Sequence, residues 1–374
     1  MKRTLLVTLD YYPALGGVSR YWERLGDLLP PDFFVVLAPS LPKGMPERSA
    51  RYPIIRRRML VSWLYPHWLP MFLYIAVACR RYRIERIVAA QVLPVGTATM
   101  GVARLLHIPF IVSAHGMDLH LPKKNKRKYT LCKKIFKRAE RVIVNCAATG
   151  RVAESYGVPA SHIESIYPSP VIVPALLEAG GNSAAVPDEF RQKRIIITVG
   201  RLVPRKGHEY ILRALPGILA ERPDVLYCII GDGPYRVTLE GLVEELHLTQ
   251  SVHFAGPLSD GAIAQWYAAS FAFIMTPVDI DGDVEGFGIV YLEAQSFGKP
   301  VIGSRTGGVP EAIHDGVTGL LVEPKDVVAI QHAILRILHD PGLAQRFGDA
   351  GRKRVAEEFS WKKQAEKLQY LLSL

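Results

Sequence analysis

The chain has 374 residues, of which 49% are hydrophobic and 22% charged, and its net charge is +11 at pH 7. This length exceeds a single compact core and predicts two domains. Four scattered cysteines, without C-x-x-C pairs, exclude a disulfide-rich or zinc-ribbon protein and favour a reduced compartment. The apolar run near Met1 is too short for a secretory signal peptide, so we expect a cytoplasmic protein.

The charge is distributed unevenly along the chain. Residues 1–170 hold 26 Lys and Arg against 10 Asp and Glu, a net charge of +16, whereas residues 171–374 carry −5. This asymmetry predicts that the basic half approaches an anionic surface. No recognisable nucleic-acid-binding motif accompanies the charge. We therefore expect a membrane surface and no nucleic-acid partner, and a basic nucleic-acid-binding protein is kept as an alternative.

The first half alternates short β-rich runs with amphipathic stretches, a pattern typical of a parallel sheet with helices on both faces. The predicted strands are Thr4 to Leu9, Phe33 to Ala38, Arg86 to Ala90, Pro109 to Ser113 and Arg141 to Asn145. The predicted helices are Val18 to Leu29, Leu69 to Arg81, Gly96 to Leu106, Lys126 to Lys137 and Ala147 to Tyr156. A Rossmann-like, doubly wound α/β domain is therefore expected.

The second half repeats the same alternation. Its predicted strands are Arg194 to Val199, Val225 to Ile230, Val252 to Ala255, Phe271 to Met275 and Pro300 to Gly303. Between the halves, the paired prolines at 166–170 and the Gly/Asn/Ser tract at 180–183 are typical of connecting segments. The predicted domains are residues 1–170 and 171–360, followed by a last helix at 361–372.

Glu285 and Glu293 stand eight positions apart across a glycine-rich break. If Gly288 opens a helix, Glu285 lies in the loop before it and Glu293 lies more than one turn inside. Backbone N–H groups at the helix start would then face an anion between the two carboxylates. One carboxylate could bind sugar hydroxyls and the other ribose hydroxyls. An ordinary helix start with solvated glutamates is the alternative.

A basic cluster, Gly200 to Gly207, follows the apolar run Ile195 to Val199. Ligands of open α/β sheets bind at the carboxyl ends of the strands. Arg201 and Lys206 are therefore candidate phosphate ligands, the first through paired donors and the second as a point charge. A solvated basic turn is the alternative.

Two further motifs follow predicted strands of the first half. Gly16 and Gly17 come after the first strand, where absent side chains let backbone amides approach a phosphate or sugar. They lack the full G-x-G-x-x-G pattern, so a dinucleotide site is disfavoured. His115 follows another buried strand, and Asp118 could orient this loop, meet an acceptor or cap a helix.

In order and spacing, these motifs resemble those of the retaining, nucleotide-sugar-dependent glycosyltransferases of family 4. The matching segments are Gly16-Gly17, His115 to Asp118, Gly200 to Gly207, Gly231 to Pro234, Glu285 to Glu293, Gly307 to Glu311 and Gly316 to Gly319. Residues 282–295 are most similar to the phosphatidylinositol mannosyltransferase branch. The resemblance implies a GT-B fold, with two facing Rossmann-like domains across a cleft and a last helix that braces the first domain. One departure is the Pro-Ser-Pro segment at 168–170, where an Asn-Gly turn is usual in the family.

The resemblance also implies an activity, the transfer of a hexose, with mannose favoured, from a nucleotide-sugar to an acceptor hydroxyl. Same-face attack on the donor is expected, and double displacement through a covalent carboxylate is the mechanistic rival. Charge on the leaving diphosphate would be neutralised by Arg201 and Lys206. A nucleotide-sugar epimerase or a phosphorylase on the same architecture is an alternative that the fold does not exclude.

Site roles follow from the same resemblance. The implied catalytic residues are His115, Arg201, Lys206 and Glu285, and the implied donor-binding residues are Gly16, Gly17, Gly231, Asp260, Phe287, Gly288, Ile289 and Glu293. Asp260 would contact the base, unless it or Ser259 caps the next helix. The acidic string at 279–283 could ligate magnesium. Because Arg201 and Lys206 already supply positive charge, we expect a solvated loop there, no metal and no cofactor.

The first half also contains a basic and aromatic set of residues beside the apolar stretch Leu60 to Cys79. Pro66 and Pro70 interrupt this stretch, so a membrane-spanning helix is not expected. The predicted membrane-contact residues are Arg56, Arg57, Arg58, Trp63, Trp68, Lys123, Lys124, Lys126, Arg127, Lys128, Lys133 and Lys134. They predict peripheral docking on the anionic inner face of the cell membrane, which suits a lipid-linked acceptor. A solvated charged helix and an ordinary core helix are the alternatives.

Overall fold

The structure, a computed structural model, describes residues 2–13, 16–179 and 186–374. The chain divides into two compact units. Unit 1 comprises the residues up to Pro168 together with Trp361–Leu374, and unit 2 comprises Ser169–Ser360. The boundary predicted near residue 170 lies close to this division. The connecting tract predicted at 180–183 lies outside the described residues.

Unit 1 is built on a seven-stranded sheet in the order β3-β2-β1-β4-β5-β6-β7, and each neighbouring pair is parallel. The strands are β1 (Thr4–Val7), β2 (Phe34–Pro39), β3 (Ile54–Arg57), β4 (Arg86–Ala89), β5 (Phe110–Ala114), β6 (Arg141–Val144) and β7 (Ile163–Ser165). Every residue of β1, β4 and β5 is buried. Helices cover both faces of this sheet, as all-parallel sheets require.

Six helices of unit 1 connect these strands. They are α1 (Gly17–Leu28), α2 (Leu69–Arg81), α3 (Val95–Leu106), α4 (Met117–Lys123), α5 (Lys126–Arg138) and α6 (Ala147–Glu154). Helices α2, α3 and α5 bury Ile75, Val102 and Ile135 in one core cluster, so they form a single layer on one sheet face. Among the helices in the described ranges, none has both the length and the apolar composition needed to cross a membrane.

Unit 2 is built on a six-stranded parallel sheet in the order β10-β9-β8-β11-β12-β13. Its strands are β8 (Arg194–Val199), β9 (Val225–Ile230), β10 (Val252–Gly256), β11 (Ala272–Ile274), β12 (Val301–Ser304) and β13 (Gly319–Val322). Its helices are α7 (Ala175–Ala179), α8 (His208–Glu221), α9 (Arg236–Glu245), α10 (Asp260–Ala269), α11 (Ile289–Ser296), α12 (Val309–Ala312), α13 (Val327–His339) and α14 (Pro341–Glu358).

The last helix, α15 (Trp361–Ser373), belongs to unit 1. Leu368 and Leu372 join the core cluster on the face of the sheet opposite α2, α3 and α5, where they pack with Trp22 of α1. Arg86, which is fully buried, donates from Nη1 to the Leu371 carbonyl at 2.9 Å. Its Nη2 donates to both carboxylate oxygens of Glu140, at 2.9 and 3.0 Å. A buried guanidinium thus fastens the C-terminal helix to the sheet.

The strands missing from the sequence analysis are β3, β7 and β13. All three lie at sheet edges. No residue of β3 or β7 is fully buried, because an edge strand has a neighbour on one side only. Such strands are short and partly polar. β3 and β7 therefore lack the continuous apolar run that predicts the central strands, whereas β13 is a short apolar strand with three of its four residues buried, and this explanation does not apply to it.

Candidate active site

The site in unit 2 lies where the strand order reverses. From β8 the chain runs outward through β9 and β10, and β11, β12 and β13 then extend on the other side of β8. Ligands of open α/β sheets bind beyond the carboxyl ends of the strands at such a reversal. Here the loops after β8 and β11 touch, because a Cβ at Gly207 (φ +76°) would overlap the Thr276 carbonyl. Thr276 Oγ1 also donates to the Gly207 carbonyl at 3.2 Å.

A buried ion cluster occupies this position. Lys206 and Glu285 are 9% and 8% exposed, and Lys206 Nζ lies 2.6 Å from Glu285 Oε2. Arg205 Nη1 contacts the same oxygen at 2.7 Å, and Arg205 Nε lies 3.2 Å from Asp283 Oδ1. Burial acts to raise the pKa of Glu285, but the charges of Lys206 and Arg205 outweigh it and lower this pKa below its ordinary value. Glu285 is therefore ionised at neutral pH.

The cluster brings together part of the predicted set and adds two residues. Lys206 and Glu285 meet directly, whereas Arg201 is exposed on the turn after β8. Sequence reasoning missed Arg205 and assigned Asp283 to a solvated loop. That assignment is wrong for Asp283, which is half-buried and paired with Arg205. In the described part of the chain, no group of three or more His, Cys, Asp or Glu could hold a metal ion.

The predicted helix start at Gly288 is confirmed. Gly288 is the N-cap of α11, with a left-handed φ of +82°. Phe287 is 2% exposed, and its ring lies 5.7 Å from that of Phe359. Its side chain is therefore a core element, and any donor contact at Phe287 would be through the backbone. Ile289 opens the helix as its first residue.

Glu293 lies inside α11 and is 4% exposed. Its Oε1 accepts from the backbone N–H groups of Val171 and Ile172, at 3.3 and 3.2 Å. The Tyr267 hydroxyl donates to Oε2 at 3.3 Å. This carboxylate therefore fastens the beginning of unit 2 to α11. The ribose contact stays a prediction, and it would require the nucleotide to share the carboxylate with these donors.

Two other predicted donor residues lie at the starts of loops or helices. Gly231 follows β9, where a Cβ would overlap the Gly200 carbonyl, so close backbone packing requires glycine there. Asp260 is the first residue of α10, and the preceding Ser259 accepts from the Ala262 N–H at 3.3 Å. Ser259 is thus the helix cap. The base contact of Asp260 stays a prediction.

In unit 1 the strand order reverses between β1 and β4. Gly16, in extended conformation, precedes α1 as its N-cap, and Gly17 is the first helical residue. A Cβ built at either glycine has no atom of the described residues within 4 Å. These residues therefore leave the space beside the start of α1 open. The start of α1 therefore has the geometry of an anion site, and its use for the donor stays a prediction.

His115 directly follows β5, with Nε2 3.0 Å from Ser113 Oγ and its ring edge-on to Tyr21. Burial lowers the pKa of His115 to about 4, so the imidazole is neutral at pH 7. Asp118 Oδ1 accepts from the backbone N–H groups of His115 and Gly116, at 2.9 and 3.0 Å. Asp118 thus holds the turn that carries His115, and Gly116 is the N-cap of α4. Burial raises the pKa of Asp118 to about 6.

Five of the twelve predicted membrane-contact residues lie on α5, and the others lie on β3, on α4 or in the segments that precede α2 and α5. Trp63 and Tyr65, before α2, are 81% and 89% exposed. Leu69, Leu73 and Val77 follow as an exposed apolar stripe at successive turns of α2. In the same layer α5 buries Cys132, Ile135 and Phe136 and exposes its basic side chains. The exposed predicted cations are Arg57, Arg58, Lys123, Lys124, Lys126, Arg127, Lys128, Lys133 and Lys134.

Two of the predicted membrane contacts need correction. Trp68 is partly buried and packs against the core of unit 1, because the turn before α2 directs its ring inward. Arg56 is partly buried, and its Nη2 is paired with Glu47 Oε1 at 2.7 Å. Its charge is therefore locally neutralised. Neither residue belongs to the exposed surface described above.

Comparison with known proteins agrees with this geometry. The profile of the family described as Glycosyltransferase Family 4 matches residues 15–169, and that described as Glycosyl transferases group 1 matches residues 182–354. Two Rossmann-like parallel sheets, each with a candidate site at its reversal, define a glycosyltransferase of the GT-B fold. The chain belongs to the family 4 (group 1) glycosyltransferases.

One relative is the GDP-mannose-dependent alpha-(1-6)-phosphatidylinositol monomannoside mannosyltransferase of Mycolicibacterium smegmatis. It is 30% identical, over 99% of this chain and 98% of its own length. Among solved structures, the Anabaena protein HepE in complex with UDP has a TM-score of 0.80 at 18% identity, with full coverage of both chains. Sucrose-phosphate synthase from Thermosynechococcus elongatus has a TM-score of 0.79 at 24% identity, covering 100% of this chain and 98% of its own. These two structures support the fold.

Proposed function

We propose that this protein is a retaining mannosyltransferase that transfers mannose from GDP-mannose to a hydroxyl of a lipid-linked acceptor. The observation that carries the proposal is the buried pair of Lys206 and Glu285 at the strand reversal of unit 2. The pair combines a cation for a diphosphate with a carboxylate for a sugar. The mannosyl donor and the lipid acceptor are proposed from the mannosyltransferase relative, which matches nearly the whole chain.

Catalysis then rests on stabilising the leaving group. As the bond between the anomeric carbon and the diphosphate breaks, negative charge grows on the phosphate oxygen. Lys206, Arg201 and the N–H groups at the start of α11 are assigned to that charge, each well-placed donor contributing roughly 3 kcal/mol. Glu285 binds sugar hydroxyls and favours the positive charge at the anomeric carbon. The acceptor hydroxyl attacks the face from which the diphosphate leaves and passes its proton to the departing phosphate oxygen, and this retains the anomeric configuration.

Unit 1 is assigned the acceptor side of the reaction, together with donor contacts at Gly16 and Gly17 and a contact of His115 with the transferred sugar. His115, neutral at pH 7, can offer a hydrogen bond without adding charge. Asp118 positions it through the turn described above. The proposed reaction needs neither a metal ion nor a cofactor, since lysine and arginine supply the positive charge. Unchanged turnover after treatment with EDTA supports this part of the proposal, and loss of turnover that Mg²⁺ restores contradicts it.

We further propose that the α2–α3–α5 layer of unit 1 docks reversibly on an anionic membrane at the inner face of the cell. Exposed Trp63 and Tyr65 suit the interfacial region, and the apolar stripe on α2 can enter it. The basic face of α5 lies in the same layer and complements anionic headgroups. A protein held at this surface would meet an acceptor that is itself membrane-bound.

A thermal-shift screen with GDP, UDP, GDP-mannose and UDP-glucose tests the donor, because a ligand that binds only the folded state raises the melting temperature. We expect GDP and GDP-mannose to give the largest shifts. Transfer is then measured with GDP-mannose and phosphatidylinositol monomannoside, with the anomeric configuration of the product read by NMR. No shift with any nucleotide overturns the proposal. An epimerised donor in the absence of acceptor would support the epimerase alternative instead.

A further inference from the structure

We propose that Arg205 is the permanent counter-ion of Glu285, and that Lys206 is an exchangeable counter-ion which moves to the donor diphosphate. Arg205 then acts as a positioning residue for a catalytic carboxylate. The inference rests on the proposed function, since it concerns the same donor site. The observation behind it is that two neighbouring cations meet one carboxylate oxygen but are anchored differently.

Arg205 is held at several points. Its Nη1 lies 2.7 Å from Glu285 and its Nε 3.2 Å from Asp283, so the planar guanidinium spans two carboxylates. Its carbonyl accepts from the Val278 N–H at 2.8 Å. Arg205 thus joins the turn after β8 to both ends of the acidic loop that leads into Glu285. Moving its side chain would break two ion pairs and release that loop.

Lys206 is placed to move. Its only ion pair among the described residues is with Glu285, and its ammonium lies at the end of a flexible four-carbon stem. A Cβ built at Gly200 would lie 3.7 Å from Lys206 Cε and 4.0 Å from its Nζ. Gly200 is the first residue after β8, at the reversal where a ligand is expected. The ammonium therefore needs only a side-chain rotation to meet a phosphate beside Gly200.

Charge balance explains why both cations are needed. The cluster holds two cations, Arg205 and Lys206, and two anions, Glu285 and Asp283. If Lys206 alone neutralised Glu285, its departure would leave a buried carboxylate unpaired, which is strongly unfavourable. With Arg205 in place, Glu285 keeps a charged hydrogen bond throughout. From α11, Tyr291 also faces this carboxylate, and its hydroxyl donates to the Met275 carbonyl at 2.6 Å.

The test compares Arg205→Met, Arg205→Lys and Lys206→Met with Arg213→Met, which removes an exposed arginine of α8 that pairs with Glu209. GDP affinity is measured by calorimetry, and turnover with GDP-mannose is measured from pH 3.5 to pH 8, a range that includes the pH at which Glu285 takes up a proton. We expect Lys206→Met to weaken GDP binding by about tenfold or more, since it deletes a charged phosphate ligand. Arg205→Met should keep GDP affinity within about threefold of the wild type, because the guanidinium serves Glu285.

The pH profile separates positioning from folding. Loss of one neighbouring cation raises the pKa of Glu285, so turnover of Arg205→Met should fall at a pH about one unit higher than in the wild type. Arg205→Lys keeps the charge, so its turnover should fall at the same acidic pH as that of the wild type. Its turnover should nevertheless be lower, because lysine cannot span both carboxylates. Arg205→Lys also provides the test of Arg205 if Arg205→Met does not fold. Equal loss of GDP binding in Arg205→Met and Lys206→Met overturns this inference but not the proposed function. The same holds if the turnover of Arg205→Met and that of Arg205→Lys fall at the same acidic pH. Failure of the wild type to bind GDP or UDP overturns the proposed function and this inference with it.

Discussion

The two units use basic side chains in opposite ways. The cations of α5, in the helical layer of unit 1, are exposed. In unit 2, by contrast, Arg205 and Lys206 both pair with the Glu285 carboxylate at the strand reversal. Exposed charges act over about 8 Å in physiological salt and are screened beyond that distance. Charges that are paired and largely buried act at hydrogen-bond distance and depend on geometry. The net charge of +16 on residues 1–170 therefore says less about catalysis than two cations in the acidic half of the chain.

Arg86 differs from the exposed cations of unit 1, since it lies in the basic half of the chain but is fully buried. Arg86→Met should lower the free energy of unfolding by about 3 kcal/mol, because it leaves Glu140 and the Leu371 carbonyl without their donor. Chemical denaturation followed by tryptophan fluorescence measures the change. Arg81→Met, which removes an exposed arginine of the same unit, should change stability by less than about 0.5 kcal/mol. Similar effects in the two variants would contradict the distinction between buried and exposed cations.

Glu285→Gln tests the paired cluster of unit 2. The amide keeps the shape of the side chain but removes the charge that Lys206 and Arg205 neutralise. We expect turnover to fall by roughly 100-fold or more, the scale of losing one preorganised electrostatic contact to the transition state. GDP affinity should be preserved or increased, because Lys206 is released for the phosphate. Unchanged turnover with GDP-mannose would remove Glu285 from the site. Glu209→Gln, at a partly buried glutamate of α8 that pairs with Arg213 outside the cluster, is the matched control.

The sequence predicts the central strands of both sheets well, because each is an apolar run covered on both faces, as in β5 and β9. The resemblance to the family 4 glycosyltransferases also predicts that Lys206 and Glu285 belong to one site. It does not predict that Arg205 shares the carboxylate. That Arg205 as well as Lys206 reaches Glu285 depends on the 3-10 turn at Pro204–Lys206 and on contacts with a loop some 80 residues away. The partners of Glu293 are equally non-local, being backbone N–H groups of Val171 and Ile172.

Membrane binding tests the exposed half of the comparison. Replacing Lys126, Arg127 and Lys134 together by Ala should weaken binding to vesicles containing phosphatidylserine, by about 1 kcal/mol for each charge near the surface. The effect should disappear at high salt and on neutral vesicles. Trp63→Ser should weaken binding to both kinds of vesicle, because an interfacial aromatic acts independently of headgroup charge. Cosedimentation measures both effects, and equal wild-type binding to neutral and anionic vesicles would contradict docking by charge.

The smallest expected effect concerns a buried charge without a counter-ion, Asp118. Its Oδ2 is buried and has no hydrogen-bond partner among the described residues, and burial raises its pKa to about 6, above its ordinary value of 3.8. The folded state therefore holds this proton more tightly than the unfolded state, so the contribution of Asp118 to stability falls as the pH rises from about 4 to 6. Asp118→Asn, which can still accept from His115 and Gly116, should stabilise the protein at pH 7.5 by about 1 kcal/mol and have little effect at pH 4. Denaturant unfolding at the two pH values measures the change, with exposed Asp32→Asn as the control. A gain of the same size at both pH values would show that the charge of Asp118 carries no cost and that its carboxylate has a partner at neutral pH.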